Sequence, residues 1–227
     1  MNHYLDPNTL ARTYRDPVAL AILAVDLFPA FAVIGLGWGA VPLVFLYWLE
    51  NLVIGVVALA RMLATSMKDS PVGALGMLFV GPFFVVHYGM FCFVHGIFVA
   101  TFANEGLTGG GESFGFPTPL GLIDIALSSG PYLPNFLLVI IALQVFLFVR
   151  DFLMRGEYLE ASIEKEMRAP YGRIVVLHFG LFAGAFALVT LGEPMLGVLF
   201  LIIFRAVFGV ILTVGRRYRL DEAQAKS

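Results

Sequence analysis

The stretch VPLVFLYWLENLVIGVVALA, residues 41–60, has one charged side chain, Glu50, and one amide, Asn51, in an otherwise largely apolar sequence. A helix rises about 1.5 Å per residue, so this stretch would be about 30 Å long, the thickness of the hydrocarbon core of a bilayer. A charged side chain at that depth costs about 2.5–3.5 kcal/mol on insertion scales and therefore needs a partner or a function. The stretch predicts a transmembrane helix that holds a polar group inside a bundle.

Similar apolar stretches occur on both sides of this one. Hydrophobic residues make up 59% of the 227 residues and charged residues only 13%, against about 25% charged residues in soluble domains. This composition excludes a soluble fold and gives no sign of a nucleic-acid partner. We predict an all-α, polytopic membrane helix bundle that forms a single domain over residues 1–227. Its six transmembrane helices are predicted at residues 18–36, 41–60, 73–102, 135–149, 174–191 and 195–214.

The basic residues are distributed asymmetrically between the predicted loops. Thirteen of the fourteen Lys and Arg residues precede the first span, follow the last, or lie in the loops after the second and fourth spans. The remaining loops contain only acidic charges. By the positive-inside rule, both termini are predicted to be cytoplasmic, in a prokaryotic inner membrane. The single cysteine, Cys92, excludes an internal disulfide.

Two of the loops are long enough to contain structure of their own. Residues 104–134 include a glycine run and an apolar piece, 120–127, that is too short to span. The loop is either a lid or re-entrant element over a cavity, or a flexible connector. Residues 156–170 place Leu159, Ile163 and Met167 four apart among charges. This pattern favours a helix along the inner membrane surface, with a solvated linker as the alternative.

Every predicted span contains polar or ionisable side chains, which are expensive in hydrocarbon. Three of the four histidines of the chain lie in these segments. Such groups usually face the interior of a bundle and mark a site of function, whereas the simpler alternative for each is a packing hydrogen bond or a structural ion pair. The residues concerned are Asp26, Glu50, Asn51, His87, His95, Gln144, His178 and Arg205.

Three of these residues lie at similar predicted depth. Counting about 1.5 Å per residue from the loops places Glu50, His87 and His178 in the inner half of the membrane. Two imidazoles and a carboxylate suit a divalent metal such as zinc, iron or manganese, and a bound metal can activate water for hydrolysis. We therefore predict Glu50, His87 and His178 as metal ligands. The candidate catalytic residues are Glu50, His95 and Arg205, with His95 as a proton shuttle or substrate contact.

The same residues allow other functions. In a small proton- or ion-coupled transporter or channel, the carboxylates, histidines and Arg205 would relay a proton or an ion. A haem protein with histidine ligands from two helices is a third alternative. The expected partners are the lipid bilayer and a small-molecule, lipid or peptide substrate. Whether the chain is an enzyme, and whether it forms a homo-oligomer, is left open by the sequence.

Several short motifs carry a resemblance to known families. The stretches YWLEN at 47–51, FVVHYG at 84–89 and HG at 95–96 resemble an uncharacterised family of prokaryotic membrane proteins of unknown function. A weaker similarity is to the CAAX-type intramembrane proteases, whose glutamate motif, FxxxH and later histidine are matched by Glu50, by His87 or His95, and by His178. The chain has one glutamate where those proteases have a pair. This resemblance would imply a membrane-embedded metal-dependent hydrolase.

Overall fold

A computed structural model gives the architecture of most of the chain. It describes residues 11–68, 71–108 and 117–172, and single positions or short groups from 174 to 215. Over these residues the protein is all-α and has no strand. The principal elements are α1 (Pro17–Leu36), α2 (Ala40–Lys68), α3 (Pro71–Thr108), α4 (Pro119–Ser128), α5 (Leu133–Leu147), a π-helix (Phe148–Met154), a 3₁₀ turn (Glu157–Leu159) and α6 (Ile163–Arg168).

Within the described part of the chain, four helical segments are long and apolar enough to cross a membrane, judged by length and composition: Pro17–Leu36, Ala40–Lys68, Leu75–Thr101 and Leu133–Met154. They correspond to the first four predicted spans and support a membrane protein. The fifth and sixth predicted spans lie mostly outside the described residues, although every described position between 171 and 215 is helical. The count of six spans, the single domain and the cytoplasmic termini remain predictions.

Local signals in the sequence set both ends of α1. Asp16 is the N-cap, and its carboxylate accepts a hydrogen bond from the Val18 amide at 3.0 Å. Pro17 follows at the first helical position, where its missing N–H leaves no bond unmade. The helix ends at Gly37, whose φ of 65° is a left-handed conformation that glycine adopts without steric cost.

The second span, α2, is the centre of the bundle. In its apolar window 56% of the residues are buried, against 17–28% in the other three candidate spans. It packs against α3, α4, α5 and α6. Large apolar side chains on the other helices remain exposed, among them Ile34, Phe79 and Val86, as expected of surfaces that face lipid. The polar side chains in the middle of α2, Glu50 and Asn51, are therefore enclosed by protein.

The connections between the spans are compact in the described regions. Thr118 caps α4 by accepting from the Gly121 amide at 3.1 Å, and α4 is the short apolar piece predicted at 120–127. At the other end of the bundle, the surface helix predicted over 156–170 is shorter than expected. It consists of two separate pieces. Gly156, with a left-handed φ of 78°, precedes the 3₁₀ turn, and Ser162 starts α6 as its N-cap.

Candidate functional site

The contact between α2 and α3 is fixed by a tryptophan and a glycine. The Trp48 indole Nε1 donates a hydrogen bond to the Cys92 carbonyl at 2.7 Å. A Cβ atom on Gly96 would lie 2.7 Å from Trp48 Cζ2 and 3.0 Å from Leu122 Cδ1, closer than carbon atoms approach. The two helices can pack this tightly only because residue 96 has no side chain.

A second contact lies two turns along the same interface. The Tyr88 hydroxyl donates to the Asn51 carbonyl at 3.0 Å. A Cβ atom on Gly55 would lie 2.5 Å from Tyr88 Cε1, so the tyrosine ring also requires a glycine opposite it. The Asn51 side chain donates to the Tyr47 carbonyl at 3.1 Å within α2. These contacts set the rotation of α3 about its axis and determine which of its side chains face the interior.

Two histidines from different helices meet in that interior. His95 Nε2 and His178 Nδ1 are 2.5 Å apart, within hydrogen-bonding distance. The two rings cross at 74° with their centroids 4.2 Å apart. His95 Nδ1 lies 2.6 Å from the Phe91 carbonyl oxygen, and only 3% of His95 is exposed. His95 is therefore enclosed by the bundle and oriented from the backbone of α3, whereas His178 is partly exposed.

The carbonyl contact assigns the protons of the histidine pair. A carbonyl oxygen only accepts, so Nδ1 of His95 carries a hydrogen and donates it to Phe91. In neutral His95, Nε2 is then an acceptor, and His178 must donate to it from Nδ1. Nε2 of neutral His178 is consequently the accepting end of the chain. A proton that arrives there can be passed on by a shift of the Nδ1 hydrogen of His178 to His95.

The other histidine of α3 lies on a different face of the helix. The His87 ring stacks on Phe83 with centroids 5.2 Å apart and an interplanar angle of 11°. It meets Phe91 edge-on at 5.1 Å, and Tyr171 lies 6.0 Å away. His87 is half-buried. Its surroundings are thus an aromatic column, whereas His95 has a second imidazole as its neighbour.

Two carboxylates of the predicted spans, Glu50 and Asp26, are buried. Glu50 is 3% exposed on α2. Asp26 is 8% exposed on α1, and its carboxylate packs against Gly209 so closely that no Cβ would fit there. In the described part of the chain, which includes Glu50, His87 and His178, no three His, Cys, Asp or Glu side chains are grouped so as to hold a metal ion.

The predicted metal and catalytic roles therefore remain predictions. Arg205 lies outside the described residues, as does its predicted pairing with Asp26 or Glu50. The sequence reasoning did not foresee the contact between His95 and His178, because it matched residues by depth counted along each helix. The FxxxH spacing did contain one relevant signal, since a histidine four residues after Phe91 can reach the Phe91 carbonyl within the same helix.

Comparison with known proteins places the chain in a family without assigning it an activity. No curated protein and no solved structure matches it. The predicted similarity to CAAX-type proteases stays untested. Residues 8–226 match a family of unknown function, DUF6498, which confirms the resemblance to an uncharacterised family. This match covers nearly the whole chain, and the protein belongs to the family of unknown function DUF6498.

Proposed function

We propose that this membrane protein moves protons, alone or coupled to a solute, and that the His95–His178 pair is the group that carries them. The observation behind the proposal is the direct hydrogen bond between His95, which is buried in an apolar bundle, and the partly exposed imidazole of His178. Histidine is the side chain whose ordinary charge change falls between pH 5 and 8, so it can bind and release protons under physiological conditions.

The pair is suited to carrying one proton at a time. Two imidazolium ions in contact repel each other strongly in a medium of low dielectric constant, so a second proton is excluded while the first is bound. The Phe91 carbonyl keeps His95 in the tautomer that accepts from His178. Proton entry at His178 Nε2 therefore turns the pair into a singly charged unit whose proton is shared across two helices.

The proposal is tested by proton flux into liposomes. The purified protein is reconstituted with a pH-sensitive dye inside the vesicles, and a potassium diffusion potential drives protons inward. We expect flux in the wild type and its loss in His95→Gln and His178→Gln, because glutamine keeps a polar side chain but does not titrate. His87→Gln is the matched control, since it makes the same change on α3 outside the pair. Equal flux in His95→Gln and the wild type would contradict the proposal.

A second measurement does not require the solute to be known. The chain has four histidines, so nitrogen-15 histidine spectra are simple enough to assign by single substitutions. We expect the signals of His95 and His178 to titrate together with uptake of one proton. Two independent titrations, each unchanged when the other histidine is replaced, would show that the imidazoles do not act as a unit.

A metal-dependent enzyme is the second candidate, favoured by the convergence of two imidazoles from different helices. Zinc takes four ligands at about 2.0–2.1 Å from nitrogen in a tetrahedron, which separates two ligand nitrogens by about 3.3 Å. The observed 2.5 Å would have to widen, and two more ligands would be needed, with Glu50 as the predicted carboxylate. Stoichiometric zinc, iron or manganese in purified protein, lost in Glu50→Gln, supports this candidate. A Soret absorption band would instead favour the haem alternative.

A further inference from the structure

The inner end of the fourth candidate span departs from α-helical geometry. Helix α5 continues as the π-helix Phe148–Met154, and the Arg155 amide donates to the Arg150 carbonyl five residues earlier at 3.1 Å. Single π-turns inside helices occur frequently at functional sites. The charge distribution of the sequence predicts that this end of the span lies at the cytoplasmic surface, at the level of the lipid headgroups.

The π-turn gathers two guanidinium groups around one buried carboxylate. Asp151 is 2% exposed; its Oδ1 lies 3.2 Å from Arg155 Nη1 and 3.7 Å from Arg150 Nη1. The three side chains together carry a charge of +1. Two guanidiniums offer about ten N–H donors and a carboxylate accepts about four hydrogen bonds, so most of the donors remain available to another acceptor.

One of these donors is buried without a hydrogen bond. Arg150 Nη1 is inaccessible to solvent and has no hydrogen-bond partner among the described residues, since Asp151 at 3.7 Å is an ion-pair contact beyond hydrogen-bonding range. The rest of the guanidinium is more open, since 27% of the Arg150 side chain is exposed, and its N–H groups can reach an acceptor outside the protein. Phosphate is the anion whose geometry best matches the guanidinium fork.

The surroundings of Arg150 favour the phosphate of a lipid. Its guanidinium carbon lies 5.7 Å from the Phe146 ring, and 48% of Phe146 is exposed. Val149 and Met154 are also exposed, by 42% and 78%. The basic group thus borders an apolar surface that acyl chains would cover, while Arg155, whose side chain is 49% exposed, extends beyond the carboxylate into the headgroup layer.

From this geometry we infer that Arg150 and Arg155, with Asp151 between their guanidinium groups, form a binding site for the phosphate headgroup of an anionic phospholipid. Asp151 acts as a positioning residue, because its buried carboxylate is in ion-pair contact with both guanidiniums. This inference is independent of the proposed proton function, which rests on residues of α3 and the segment around His178.

The inference is tested with native mass spectrometry of the purified protein in equal amounts of phosphatidylglycerol and phosphatidylcholine. We expect the wild type to retain phosphatidylglycerol about tenfold more strongly, the value of one additional charge-assisted hydrogen bond. The double variant Arg150→Gln/Asp151→Asn should lose this preference. It removes both charges together and so leaves no unpaired carboxylate in the interior. Arg168→Gln, at an exposed surface pair with Glu164, is the matched control.

Two further measurements keep the inference falsifiable. Arg155→Gln leaves the contact between Arg150 and Asp151 in place and should lower the preference part of the way, even if the double variant fails to fold. Addition of excess inorganic phosphate distinguishes a lipid headgroup from free phosphate as the ligand of the site. Retention of the preference in both variants would overturn the site, and complete displacement of the lipid by inorganic phosphate would overturn the lipid as its ligand.

Discussion

Replacement of Gly96 by alanine should destabilise the protein although alanine is the better helix former. The added methyl group would lie 2.7 Å from Trp48 Cζ2, and the indole cannot retreat without losing its 2.7 Å hydrogen bond to the Cys92 carbonyl. Overpacking costs about 1–3 kcal/mol and the hydrogen bond about 1 kcal/mol. The higher helix propensity of alanine offsets up to about 1 kcal/mol of this loss. We expect a net loss of about 1–3 kcal/mol, or about 2–12 °C in melting temperature.

The chain contains its own reporter for this experiment. Cys92 is the single cysteine and is 3% exposed, so a thiol-reactive fluorescent dye reports unfolding as this side chain becomes accessible on heating. Gly89→Ala is the matched control, because a Cβ atom there would have no neighbour within 4 Å. It should melt at or slightly above the wild-type temperature. If Gly96→Ala melts as high as Gly89→Ala, the close contact between α2 and α3 is not as described.

Further predictions concern the inner end of the bundle and the topology. Arg61→Gln should lower stability by about 1–2 kcal/mol in the same thiol-dye assay, because it leaves the buried Glu166 carboxylate without the guanidinium that lies 2.5 Å away. Arg168→Gln, in an exposed pair, should change stability by less than about 0.5 kcal/mol, and equal effects of the two would contradict this assignment. A reporter fused after Ser227 should be cytoplasmic and one inserted at residues 109–111 external; an external C-terminus would be incompatible with six spans.

The first four spans could be predicted as helices from apolar length alone, but their ends could not. The span predicted at 41–60 belongs to a helix that continues to Lys68. Apolar sequence shows where hydrocarbon is tolerated, whereas a helix ends where its backbone bonds end. The continuation past residue 60 carries Arg61, which binds Glu166 and lies 4.0 Å from the Phe152 ring centre. Those long-range contacts are absent from any local pattern.

The sequence predicted that polar side chains are buried in the bundle, but not which of them meet. The cost of polar groups in hydrocarbon correctly indicates that Glu50 and His95 are buried. Which histidines meet depends on the axial shift of one helix against another, and counting residues from the loops does not give that shift. The helix α3 has 38 residues and is therefore about 57 Å long, far more than a bilayer requires. A depth counted from either of its ends is consequently shifted by several residues.

The rotation of α3 decides the different environments of its two histidines. Tyr88, Cys92 and His95 follow one another at intervals of four and three residues, so they share one helical face, and all three are at least 96% buried. Phe83, His87 and Phe91 share the adjacent face, on which Phe83 is 48% exposed. A step of one residue turns the helix by about 100°, so His87 cannot enter the interior while Tyr88 remains bonded to Asn51.

The motif residues of α2 thereby act on the histidine pair from a distance. Tyr88 needs Gly55 and the Asn51 carbonyl, and Trp48 needs Gly96. Each contact fixes the same rotation of α3, and that rotation directs His95 toward His178. The YWLEN and HYG motifs are therefore explained in large part as the contacts that orient the pair. Under the proposed function, substitutions at the two glycines should lower the proton flux measured in liposomes.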